Sequence, residues 1–208
     1  MSEHYFTARP GSAQDLRPLS VRLAGTDLDL VTAGGVFSPD RVDLGTQVLM
    51  REVPDPPEQG DLLDLGCGWG PISLSLALLS PAARVWGVDV NERSLDLLRR
   101  NASAAGADNV RAVLPEDVPS DVRFAALWSN PPIRVGKAVL HDMLRQWLPR
   151  LLPGASAYLV VQRNLGSDSL HRWLDETLGP DGFEAFRIAS AKGFRVLQVR
   201  APDAAATS

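Results

Sequence analysis

The sequence predicts an α/β fold, a doubly wound, mostly parallel sheet of seven strands with an antiparallel last strand. Three observations carry this. Apolar strand-like runs alternate with helix-like runs from residue 62 to residue 179, which is the signature of βαβ units joined by right-handed crossovers. The strand-like runs are apolar almost throughout, as strands are when helices cover both faces of a sheet. The last two runs, FEAFRIAS and FRVLQVR, have only AKG between them. That is too short for a crossover, so they pair antiparallel.

The elements follow in order. SVRLAGTDLDLVTAGGVFS (20–38) predicts a short hairpin turning near Gly25, and VDLGTQVLMREV (42–53) a helix beginning near Asp43. VPDPPEQG (53–60) has three prolines and can be neither helix nor central strand. Residues 1–59 therefore read as an N-terminal hairpin and helix extension packed on an α/β domain at 60–200. Within that domain LLDLG (62–66) leads into the helix PISLSLALLS (71–80), and RVWGVDV (84–90) into ERSLDLLRRNASAAG (92–106). VRAVL (110–114) and FAALWS (124–129) precede the helix KAVLHDMLRQWLPRL (137–151), and ASAYLVVQ (155–162) precedes SDSLHRWLDETLG (167–179). APDAAATS (201–208) is small and polar and reads as a disordered tail.

Composition removes several function classes. With 208 residues, 45% hydrophobic and 22% charged, the chain can bury a full core without metals or disulfides. Lys and Arg number 21 against 25 Asp and Glu, a net charge of −4. This excludes a protein that holds nucleic acid by overall charge, but not a local basic site. The single cysteine, Cys67, excludes an internal disulfide framework and a zinc site built from cysteine clusters. No metal site is expected. No apolar run reaches the length of a membrane span, and the N-terminus lacks the apolar core of a signal peptide, so no membrane partner and a cytoplasmic location are expected.

Two loops carry chemistry. DLLDLGCGWG (61–70) follows a strand and opens a helix, and Gly66, Gly68 and Gly70 allow a tight turn and close approach to a ligand. The next strand-end acid, Asp89, lies 23 residues after Gly66, where a carboxylate can accept both hydroxyls of a ribose. The spacing is GxGxG, with Trp69 and Pro71 leaving few free N–H groups for a pyrophosphate. A nucleoside without phosphates fits better than a dinucleotide. The second loop, SNPPIRVGK (129–137), ends a strand on the same sheet edge. An aromatic amine is a poor nucleophile because its lone pair is delocalised. The Asn130 side-chain carbonyl and the Pro131 backbone carbonyl can each accept one of its N–H bonds and favour the charge that develops on nitrogen. Pro131 and Pro132 stiffen the loop.

DLGCGWGPISLSLA with GVDVNERSLDLLRRNA resembles the cofactor motifs of class I S-adenosylmethionine-dependent methyltransferases, which have a Rossmann-like sheet. The resemblance implies S-adenosyl-L-methionine as cofactor. It places Gly66, Cys67, Gly68 and Gly70 under the methionine end, Asp64 at the ammonium through water, and Asp89 at the ribose. Val90 and Asn91 then border the adenine, and Asp117, with Glu116 close behind, meets its amine. Asn130-Pro-Pro in this position resembles the amine-directed methyltransferases, although Ile133 stands where many carry a base-stacking Tyr or Phe. The whole string, with TAGGVFSPDRVDLGTQVLM and HYFTARP upstream, looks like the small-domain methyltransferases that modify the 2-amino group of guanine in small-subunit ribosomal RNA. By that likeness Phe37 and Asp43 line the cofactor pocket with Thr46 nearby.

The RNA partner would lie on a basic stripe. Lys137, His141 and Arg145 share one face of their helix, with Val139, Leu140, Met143, Leu144, Trp147 and Leu148 on the buried side. Ile133 and Arg134 extend the substrate side into the loop. Between Asn130 and Arg163 five Lys or Arg stand against one Asp, net +4, leaving −8 elsewhere. Lys192 and Arg195 in the last hairpin turn are candidates to join the patch, whereas Trp86 and Trp173 read as packing residues. Competing functions are methylation of a protein glutamine amide and an inactive cofactor-binding domain that contacts RNA. An oxidoreductase is the weakest of the alternatives.

Overall fold

A computed structural model describes residues 16–204. The opening residues 4–10, the tail beyond 204 and the side chain of Arg134 lie outside the described residues.

The chain starts with a two-stranded hairpin, β1 (Arg17–Leu23) and β2 (Thr26–Thr32). Its turn places Ala24 and Gly25 at φ 48° and 80°, the left-handed pair that matches the twist of a two-residue hairpin. Helix α1 (Leu44–Glu52) starts where the Asp43 side chain accepts the Gly45 N–H at 2.8 Å. The sheet then builds through β3 (Asp61–Leu65), α2 (Pro71–Leu79), β4 (Arg84–Val88), α3 (Glu92–Ala104), β5 (Val110–Val113) and β6 (Phe124–Ser129). Helix α4 (Lys137–Trp147), β7 (Leu151–Gln162), α5 (Ser167–Leu178) and the hairpin of β8 (Glu184–Ala191) and β9 (Phe194–Arg200) complete it.

The seven strands lie in the order β5-β4-β3-β6-β7-β9-β8. β5 to β7 run parallel, and β9 is antiparallel to both β7 and β8. Chain order reverses between β3 and β6, so the carboxyl ends of these strands flank the crevice where open α/β sheets bind ligands. Alternate side chains feed two cores. Leu62, Val85, Trp128 and Val160 face α1, α2, α3 and the hairpin, while Leu63, Trp86, Leu127 and Leu159 face α4 and α5.

The N-terminal residues are joined to this body by polar contacts as well as packing. Asn101 of α3 is fully buried. Its Oδ1 accepts the Val31 N–H at 2.8 Å, and its Nδ2 donates to the Val31 and Trp69 carbonyls, each at 2.9 Å. Leu23, Leu30, Val36, Val48 and Leu49 belong to the same apolar cluster as Leu62 and Leu74.

Four details differ from the sequence reading. β7 begins at Leu151, four residues early, because its pairing with β6 shifts register between Phe124 and Ala126, and a bulge absorbs the extra residues. α4 ends at Trp147 because Pro149 cannot continue a helix, and one 3-10 turn follows. Val139, read as buried, is 56% exposed. The tail is docked at its start: Ala201 is buried and donates to the Ala155 carbonyl at 2.8 Å, Gly154 donates to Pro202, and Arg200 pairs with Asp203. No helix among the described residues is long and apolar enough to cross a membrane.

Candidate active site

The glycine loop leaves β3 with Gly66 at φ 80°, Gly68 at 55° and Gly70 at 104°, a path that side chains with a Cβ rarely follow. Gly66 and Cys67 donate to the Val88 carbonyl, Gly70 to Cys67, and Gly68 to Asp89 Oδ2 at 2.9 Å. These N–H groups are thus engaged within the protein, which disfavours a pyrophosphate. A Cβ built on Gly68 meets nothing within 4 Å, so the space above the loop is open.

Two buried acids lie beside this loop. Asp89 is 5% exposed, and its Oδ1 accepts the Asn91 N–H at 2.9 Å. Asp64 is completely buried, and its Oδ2 accepts from the Ser73 N–H at 2.8 Å and the Ser73 hydroxyl at 2.6 Å. Its Oδ1 is buried with no hydrogen-bond partner. Burial pushes this carboxyl up to about 7, against the opposing pull of Ser73, and the nearby Asp89 charge adds to the rise. A cation is the chemical complement of such a site. Cys67 is buried, and burial raises its thiol well above the ordinary range, which removes it as a nucleophile.

Asn91 has the geometry of a brace. It is fully buried, its Oδ1 caps α3 at the Arg93 N–H, and its Nδ2 donates to the Gly35 carbonyl. Val90 beside it is 51% exposed. Glu116 and Asp117 are exposed on a 3-10 turn just past β5, on the same sheet edge.

The Asn130 loop hangs from β6 directly beside the glycine loop. The Ser129 hydroxyl donates to the Leu65 carbonyl at 2.6 Å, and a Cβ on Gly66 would lie 3.9 Å from the Pro132 ring. Asn130 Nδ2 donates to Asp43 Oδ2 at 2.9 Å and to Thr46 Oγ1 at 3.0 Å. The Pro131 carbonyl accepts the Ile133 N–H at 2.8 Å across Pro132 at φ −74°, ψ 75°, an inverse γ-turn. One lone pair of that carbonyl is therefore already engaged. The loop opens on a cleft of about 410 Å³ walled by Val36, Phe37, Gly66, Asn130, Ile133 and Phe194.

Phe37 is 45% exposed at the cleft. Phe194, at the start of β9, lies across it. Sequence reasoning stopped at Ile133 for a stacking residue and passed over Phe194. The only signal was its place in the last hairpin turn.

The basic stripe is smaller than its charge count. Arg150 sits over Phe124 and Trp147 and donates to the Val122 and Pro119 carbonyls, at the opposite end of β6 from Asn130. Arg195 is paired with Asp168 of α5 and so brings no free charge from the last hairpin, while Lys192 is exposed there at φ 48°. Arg145 pairs with Asp142 at 3.0 Å and lies 5.2 Å over the Trp173 ring. His141 stacks on Trp173 at 3.9 Å between ring centres, 7° from parallel. Burial, then Arg145 and Lys137, lower the His141 pKa below its ordinary value. Lys137 is exposed at the start of α4. No cluster of metal-ligating side chains occurs among the described residues.

A doubly wound sheet with a glycine turn, a strand-end acid and an Asn-Pro-Pro loop at its switch point defines a class I S-adenosylmethionine-dependent methyltransferase. Residues 27–198 match the methyltransferase small domain, and the chain belongs to that family. It is 33% identical over 203 residues to an uncharacterized protein of Bacillus subtilis, covering 96% of this chain and 99% of that one. It is 38% identical over 163 residues to ribosomal RNA small subunit methyltransferase C of Citrobacter koseri, covering 74% of this chain and 45% of the relative. The chain thus spans about half the length of that relative. Among solved structures, the 16S rRNA N2 G1207 methyltransferase of Thermus thermophilus, in complex with AdoMet and guanosine, superposes with a TM-score of 0.77 at 27% identity. The match covers 93% of this chain and 52% of that one.

The residues present fit the family's cofactor. Asp64 keeps an unpartnered buried oxygen for a cation, Asp89 stands at the strand end for a diol, and the loop leaves open space over Gly68. The cofactor supplies an electrophilic methyl group on a sulfonium.

Proposed function

We propose that this protein methylates the exocyclic 2-amino group of a guanine in small-subunit ribosomal RNA, in the cytoplasm. One observation carries the reading. The Asn130 carboxamide has both Nδ2 hydrogens engaged, which leaves Oδ1 as an acceptor at a cleft of about 410 Å³ beside the glycine loop. An amine N–H directed at Oδ1, and a second at the remaining lone pair of the Pro131 carbonyl, turn the nitrogen lone pair toward the methyl group. S-adenosylmethionine, when bound, would supply the methyl group and take the electron pair of the broken bond on its sulfur, while Asn130 and Pro131 hold the amine in line. The nitrogen then releases a proton to water, so no strong base is required. Phe37 and Phe194 supply apolar faces for a base. Lys137, His141 and Arg145, with Ile133 and Arg134 at the loop, are the RNA-side residues. On this reading residues 36–46 of the 1–59 extension complete the site on the 60–200 domain.

The relatives named for small-subunit ribosomal RNA support an RNA substrate, and the Thermus thermophilus structure, named for N2 of a guanine and holding guanosine, supports the guanine assignment. Transfer of labelled methyl to ribosomal RNA, naked and assembled, followed by nucleoside analysis, tests it. N2-methylguanosine is expected in one of the two substrates, and Asn130→Ala should slow its formation about a hundredfold or more, leaving a measurable residual rate. Label found in methyladenosine, or in a glutamine amide of a protein substrate, overturns the assignment.

A further inference from the structure

Asp43 and Asn130 are 87 residues apart, yet they share a hydrogen bond of 2.9 Å. One carboxylate oxygen of Asp43 does two things. It caps α1, accepting from Gly45 N at 2.8 Å and Thr46 N at 3.4 Å, and it receives an Asn130 Nδ2 hydrogen. The second Nδ2 hydrogen goes to Thr46 Oγ1 at 3.0 Å, and Thr46 is 3% exposed. With both hydrogens held by acceptors, flipping the carboxamide would set its oxygen 2.9 Å from a carboxylate oxygen that cannot donate, with only the Thr46 hydroxyl able to turn and donate to it. Asn130 is thereby held with Oδ1 away from α1. Asn130 Oδ1 has no partner among the described residues.

Gly45 permits this arrangement. A Cβ there would lie 2.9 Å from Asp43 Oδ2 and 2.9 Å from the Phe194 ring. The first turn of α1 thus packs between the orienting carboxylate and a wall of the cleft.

We propose that Asp43, assisted by Thr46, is the positioning residue of the methyl-transfer site: it fixes the rotamer of the Asn130 carboxamide and strengthens Oδ1 as an acceptor. The inference rests on the amine-methylation reading given above. The physical cause is chain polarisation. An anion accepting from the amide N–H draws positive charge toward nitrogen and leaves Oδ1 more negative. That oxygen faces an amine that becomes cationic as the new bond forms, so the gain is larger in the transition state than in the ground state.

Asp43→Ala, Asp43→Asn, Asn130→Ala and the Asp43→Ala/Asn130→Ala double variant test the assignment. Steady-state methyl transfer to ribosomal RNA, calorimetry with S-adenosylmethionine, and 15N NMR of the Asn130 side-chain amide are the readouts. In Asp43→Ala, kcat should fall on the order of ten- to a hundredfold, as expected when a reacting geometry loosens by a fraction of an ångström. KM for RNA should stay within about threefold, and any loss of cofactor affinity should be smaller than the loss of kcat. Asp43→Asn keeps an oxygen for both the cap and the amide and should recover part of kcat. Adding Asp43→Ala to Asn130→Ala should cost nothing further, because Asp43 acts through Asn130. Multiplying losses in the double variant, or unchanged kcat in a folded Asp43→Ala protein, overturns the proposal.

The NMR arm separates this from failure of the RNA reading. The Asn130 Nδ2 protons should be protected from exchange in the parent and in Asp43→Asn, and should lose protection in Asp43→Ala, whatever the acceptor is. Unprotected protons in the parent protein overturn the positioning role even if ribosomal RNA is methylated.

Discussion

At the scale of single residues, Asp64 gives the sharpest test. Its folded pKa of about 7 stands above the ordinary 3.8, and burial is the main cause. Between those two values the folded state holds a proton that the unfolded chain has released. The Asp64 contribution to stability is therefore largest at low pH and is lost as pH rises toward 7. A bound ammonium group favours the ionised form, so cofactor affinity should move the other way and weaken as pH falls below about 7. Thermal melts and calorimetry from pH 5 to 8, with Asp64→Asn as reference, check both trends; the variant should show neither. Phe194 gives a second test. Phe194→Ala should raise KM for RNA about tenfold or more, the order of a lost base–aromatic stack, and leave cofactor binding unchanged.

Local motifs were readable because their chemistry is written in consecutive residues. The Gly66–Gly70 turn, Asp89 at a strand end and Asn130-Pro-Pro each declare themselves over a few positions. Phe194 did not, since its role depends on which strand the last hairpin lays beside β7. Asn91 was read as an adenine neighbour, and its cap and its bond to Gly35 come from the fold around it.

At the scale of elements, the hairpin and the glycine loop form one unit. Trp69 Nε1 donates to the Ser38 carbonyl at 3.1 Å, and Arg93 donates to Gly34 at 2.7 Å. Asn101→Ala would strand the Val31 N–H and the Val31 and Trp69 carbonyls. Buried orphans of this kind cost about 1–3 kcal/mol each when water cannot reach them. A loss on the order of 3 kcal/mol in urea denaturation is expected, together with weaker cofactor binding because Trp69 is in the loop. A variant as stable as the parent would show that the stitching is unimportant. The succession of strands and helices was legible from the alternating apolar runs, whereas the spatial order of the strands came from the fold. The early start of β7 was not, because a bulge is set by the neighbouring strand.

At the scale of the whole molecule, the charge count needed the fold. The surplus of four around residues 130–163 includes Arg150, which sits at the far end of β6, and Arg145, which is tied to Asp142. Among the described side chains few unpaired cations remain at the cleft. RNA binding should therefore show a shallow salt dependence, with a slope of about −2 in log K against log salt, given roughly −0.7 per neutralised phosphate on a single strand. Filter binding between 50 and 300 mM salt measures it. A slope steeper than about −5 would mean that a much larger basic surface is used.

The Asp43–Asn130 bond also bears on how the protein comes into being. One partner caps the first helix, the other follows the fourth strand of the sheet, and Phe194 walls the cleft near the end of the chain. Contacts so far apart in sequence form only after the intervening loops are closed. Methyl transfer should then return on refolding no faster than the slowest spectroscopic phase, and a nascent chain should gain activity only after β9 has been synthesised.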